Sequence, residues 1–131
     1  MTIPLWCLVA FVLWTIALVS ALSVARFRHL ATGGSHRDFG VPDDRRLIWR
    51  LFRAHLNCLE NLPLFAAVVL IGAVRGVSGP ALNVLSIVYV VARFGQSSVH
   101  VLGGPSNARF ALLVLQLLVL VALTFLVVMP L

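Results

Sequence analysis

Apolar residues fall into four long runs along this chain, separated by short polar stretches. The runs extend from about Pro4 to Arg26, Arg45 to Val74, Pro80 to Val101 and Asn107 to Val128. Each is long enough for a helix that crosses the roughly 30 Å hydrocarbon core of a bilayer. The punctuation agrees. Pro4 is tolerated in a first helical turn, and Asp43 and Asp44 can cap the second helix and complement its dipole. Gly76 and Gly79 end that helix, Gly103-Gly104-Pro105 separates the third from the fourth, and Pro130 closes the last. The pattern predicts an all-α integral membrane protein, a single domain over residues 1–131 folded as a four-helix bundle subunit. The run from Leu5 to Ala25 has no basic segment before it and is too long for a secretory leader, so it reads as the first span.

Composition strengthens this reading. Of 131 residues, 61% are hydrophobic and 11% charged, more apolar surface than a soluble domain of this size could bury. The ten basic residues are all arginine and face four acids, a formal charge of +6. Arg26, Arg28, Arg37, Arg45, Arg46, Arg50 and Arg53 cluster around the first loop, Arg93 and Arg109 flank the third, and the second has only Arg75. The positive-inside rule then puts loops 1 and 3 in the cytoplasm and both termini outside. Lysine-free, arginine-rich usage fits a bacterial protein from a GC-rich genome, hence an inner membrane. Nothing in the chain resembles a nucleic-acid module. Cys7 and Cys58 stand in separate apolar runs without metal or redox spacing, and read as small buried hydrophobes. No second histidine stands four residues from His55, so no metal site is expected.

Two polar stripes interrupt the apolar runs. On the second helix Arg46, Arg50, Arg53, Asn57 and Glu60 recur at steps of four and three, which lines one helical face. On the third, Tyr89, Arg93, Gln96 and His100 do the same. The second helix, about 30 residues and so roughly 45 Å long, exceeds the hydrocarbon core. Its arginine-rich start therefore stands outside, with Glu60 nearer mid-depth and Pro63, which lacks an amide proton, expected to kink the helix just beyond. Polar groups can simply join membrane helices to one another. Here the arginines far outnumber Glu60, and the excess points to an anionic ligand, since a guanidinium grips carboxylates in a bidentate fork. A ligand with two carboxylates and one ammonium would suit several arginines together with Asn57 and Glu60. The same cavity could hold a lipid headgroup without catalysis. A small multidrug exporter also has four spans, but it needs a deep acid for cations, and Glu60 is surrounded by arginines. Gly72 and Gly76 form a GxxxG only at a helix end, a weak packing motif.

The run Arg50-x-x-Arg53-Ala54-His55-x-Asn57-x-x-Glu60-Asn61-x-Pro63-x-Phe65 resembles the MAPEG family, membrane-associated proteins in eicosanoid and glutathione metabolism. Length, four spans and an arginine-bearing third helix match as well. The resemblance implies a homotrimer of four-helix subunits with glutathione bound between neighbours toward the cytoplasmic side. It also implies transferase or peroxidase chemistry on lipophilic substrates that arrive from the bilayer. Carried over by position, Arg53, Asn57 and Glu60 match glutathione contacts, Arg26 falls near a family arginine, and Arg109 matches an arginine proposed to stabilise the thiolate. Arg50, Arg93, Gln96 and His100 complete the expected binding set, with Arg109 and His100 as catalytic candidates. Eicosanoid-processing members have tyrosine at His100 and histidine or tyrosine at Gln96. The prostaglandin enzyme differs at Leu56 and Phe110. These departures argue against either eicosanoid activity.

Overall fold

The four apolar runs are four helices in a computed structural model that describes residues 1–129; Pro130, expected to close the last helix, lies outside the described residues. They are α1 (Ile3–Ala31), α2 (Leu47–Val74), α3 (Pro80–Val101) and α4 (Ser106–Val128), and a 3-10 turn (His36–Gly40) occupies the first loop. All four helices are long and apolar enough to cross a membrane, and the described residues contain no strand.

Helix ends follow local chemistry, and they move some boundaries. α1 runs past Arg26 to Ala31, because no breaker precedes Gly33; that glycine takes φ +89°, and the Gly34 amide donates to the His29 carbonyl at 2.9 Å. Arg26 and Arg28 are thus helical. α2 begins at Leu47, two residues beyond the acids' reach. Asp43 therefore does not cap it. Its carboxylate accepts from the Arg45 amide at 3.0 Å instead, and the capping position, Arg46, offers no side-chain bond. α2 continues without interruption through Pro63.

Buried positions recur every three or four residues, as an inward stripe requires. α1 contributes Cys7, Phe11, Thr15, Leu18 and Leu22; α4 contributes Gln116, Val119, Leu123 and Val127. An aromatic cluster joins three helices in the core. Phe65 of α2 stacks on Tyr89 of α3 at 4.5 Å between ring centroids, and Phe11 of α1 tilts against both. Gly72 is buried where α2 meets α4; an added Cβ would stand 3.1 Å from Val127, so this glycine permits the approach. Gly76, at φ +68°, serves the turn after the helix rather than the packing. At the same end Arg75 donates to the Val127 and Val128 carbonyls in the last turn of α4.

Candidate functional site

Arg50 organises the opposite end of the bundle. Its Nε donates to the Val101 carbonyl at 2.9 Å, and one Nη donates to the Asp44 and Arg45 carbonyls, each at 3.0 Å. One side chain on α2 thereby holds the last turn of α3 and the loop before α2. Beside this latch is a cavity of about 190 Å³, lined by Asp44, Arg50, Arg53, His100, Gly103, Gly104 and Arg109. Gly103, at φ +71°, turns the chain between α3 and α4 and so brings Arg109 back over His100.

Within the cavity wall, His100 links two helices to its own. Its Nε2 lies 3.0 Å from the side-chain amide of Asn57 on α2, and its Nδ1 lies 3.4 Å from an Nη of Arg109 on α4. Beneath it, Gln96 donates to the Arg109 carbonyl at 3.3 Å, and Gln116 of α4 donates to Gln96 Oε1 at 2.8 Å. These amides fix the start of α4 against α3 and hence the place of Arg109.

The expected stripes therefore divide. Arg50, Arg53, His100 and Arg109 share the cavity, Asn57 joins it through His100, and Gln96 supports it from below. Arg93 lies deeper, fully buried, its guanidinium 5.9 Å from the Phe11 ring centroid and its Nε and one Nη without partners. Arg26 is elsewhere, stacked over Phe39 at 5.3 Å and Phe52 at 5.5 Å between α1, the 3-10 turn and α2. Glu60 points outward from the protomer and forms no ion pair with an arginine. The two ion pairs among the described residues are His29–Asp38 and Arg45–Asp43, both in the first-loop region.

Sequence reasoning missed Asp44, Gly103 and Gly104 as cavity residues, and it missed Gln116. The glutamine had a signal: a lone amide in the most apolar helix, seven residues beyond Arg109 and so on nearly the same face. The loop residues had none beyond their turn chemistry. His55 keeps a buried Nδ1 without a partner, and Cys58 is buried with Sγ 3.3 Å from the Ser97 hydroxyl. No group of three His, Cys, Asp or Glu side chains among the described residues could hold a metal ion.

Fold and cavity define a class: a small, multi-pass, all-helical membrane protein with a cationic cavity beneath two of its loops. The chain belongs to the MAPEG family, whose model matches residues 4–129. Members of that family are glutathione transferases, peroxidases or related membrane proteins. No curated protein and no solved structure matches the chain significantly.

Proposed function

We propose that the protein is a glutathione-dependent transferase or peroxidase acting on lipophilic electrophiles, assembled as a homotrimer. One observation carries this reading: Arg53, His100 and Arg109 converge on one cavity at the arginine-rich end of four membrane-length helices in a MAPEG chain. Arg53 offers a fork for a glutathione carboxylate, and Asn57 stands beside it. A cation within hydrogen-bond distance of a thiol favours the thiolate, the reactive form, and we assign that role to Arg109, which lines the cavity. The apolar second substrate would enter from the lipid and either be conjugated or, as a hydroperoxide, be reduced.

Trimer formation would give Glu60 a neighbour to face and would let glutathione bridge two subunits. Arg93 and Gln96, both buried, then act from behind the cavity, and Arg26 stays with the first loop. The arginine-rich end lies on the cytoplasmic side, most simply of a bacterial inner membrane.

Calorimetric titration of glutathione into folded, detergent-solubilised protein tests the reading. Binding accompanied by thiolate ultraviolet absorbance and by turnover of an aryl halide is expected. No binding at millimolar glutathione would overturn it. Binding without thiolate or turnover would leave a non-catalytic anion site, one equally suited to a lipid headgroup.

A further inference from the structure

His100 is held between groups that between them fix where its proton sits. A guanidinium has donors only, so Nδ1, facing Arg109 at 3.4 Å, must offer its lone pair. The ring proton is then on Nε2. Asn57 stands with Nδ2 3.0 Å from Nε2; with Nδ1 committed to Arg109, that amide turns over and meets the ring proton with its carbonyl oxygen, the two ends being interchangeable by rotation. The result is a neutral imidazole on the cavity wall, with its basic nitrogen covered by the same arginine that the functional reading assigns to the sulfur.

We propose that Nδ1 of His100 accepts the proton of the glutathione thiol; the proposal rests on the glutathione reading given above. When Arg109 turns its N–H groups to the sulfur, Nδ1 loses its partner. The S–H bond then breaks, an Nδ1–H bond forms, and the electron pair stays on sulfur as a thiolate beside Arg109. Asn57 Oδ1 accepts from Nε2–H before and after the transfer, so the ring need not turn. The thiolate attacks the electrophile, and the leaving group departs with its bonding pair. The proton on Nδ1 passes to that group or to water, which restores the base. The charged groups around the ring at the cavity are Arg53 of α2, Arg109 of α4 and Asp44 of the loop, with Arg93 of α3 deeper in the core. Among arginines, the thiolate itself balances the added proton. Asp44 is the rival acceptor, an exposed carboxylate on the cavity rim.

Calorimetry in buffers of different ionisation heat counts the protons released when glutathione binds, and thiolate absorbance is read in parallel. Wild type at neutral pH is expected to form thiolate with essentially no proton released, because His100 keeps it; whatever Asp44→Asn does to affinity, the complex it forms is expected to retain the proton as well. His100→Gln is expected to bind glutathione, to form thiolate only at alkaline pH with one proton released, and to lose at least about 10²-fold in neutral-pH turnover. Release of one proton per thiolate by wild type overturns the assignment to His100 yet leaves the glutathione site standing. So does proton retention that disappears in Asp44→Asn. A folded wild type that binds no glutathione overturns both readings. The wild-type proton count does not depend on whether any variant folds.

Discussion

An arginine in a membrane-spanning helix costs at least a few kcal/mol unless something answers its charge. Arg93 and Arg109 meet that demand differently. Arg93 is fully buried over an aromatic ring with two unpartnered nitrogens, whereas Arg109 is half-buried and reaches into the cavity. Only Arg109 is free to change partners, from a histidine nitrogen to an incoming sulfur. Arg109→Ala is therefore expected to weaken glutathione binding by roughly tenfold, about 1.4 kcal/mol, and to abolish thiolate absorbance. Arg109→Lys should recover part of the affinity but less of the thiolate, since an ammonium lacks the planar fork. Titration calorimetry and ultraviolet difference spectra check both. Phase along a helix showed which residues share a face, and so grouped Arg53 with Asn57 and Gln96 with His100. It could not show which way the face points. Arg93 and Glu60 were equal members of their stripes in the sequence, yet one is core and the other looks outward, because each helix's rotation is set by packing against neighbours.

At the cavity end one side chain ties several elements through their backbone carbonyls. Arg50 spends its donors on the Val101, Asp44 and Arg45 carbonyls and so is a latch between α2, α3 and the first loop. Arg50→Met should lower stability by about 1.5–3 kcal/mol, the range for hydrogen bonds to a charged group, seen as a lower Tm in detergent. Loss of glutathione affinity should follow from the loosened cavity wall. The loop has a second fastening. His29 at the end of α1 contacts the Asp38 carboxylate at 2.7 Å, and the Ser35 amide donates to the same oxygen at 3.0 Å. The His29 bond first, and the Ser35 amide second, hold the Asp38 carboxyl below its ordinary pKa. A lowered carboxyl stabilises the fold at and above the ordinary carboxylate range, near 3.9, and that contribution is lost as pH falls through the lowered value. The Ser35 amide resonance should accordingly titrate below that range, and in Asp38→Asn the step should vanish. The helices themselves were legible because apolar runs of membrane length have few alternatives. The start of α2 was not. Asp43 looks like a cap but serves Arg45, and no rule of spacing distinguishes an acid that caps a helix from one that closes a turn just before it.

Taken as a whole molecule, one protomer leaves two polar groups of α2 unanswered on its outer side. Arg53 and Glu60 are both exposed, two turns apart, and Glu60 belongs to a helix that crosses the bilayer. A carboxylate facing lipid near mid-depth costs about 2.5–3.5 kcal/mol on insertion scales, and three protomers would incur that cost three times over. Closure into a ring removes it, since a closed ring presents the same face of every protomer to a neighbour, and the ring of the assembly proposed above is three-fold. Native mass spectrometry from mild detergent should thus give a trimer, and Glu60→Gln should retain it, because the amide can still hydrogen-bond across the interface. Glu60→Leu should weaken glutathione binding far more than it weakens assembly, if the carboxylate answers the ligand's ammonium rather than a neighbouring arginine. Equal losses in both would make Glu60 a structural contact. A wild-type monomer that binds glutathione with full affinity would mean that one cavity, bounded by Arg53, His100 and Arg109, is sufficient by itself.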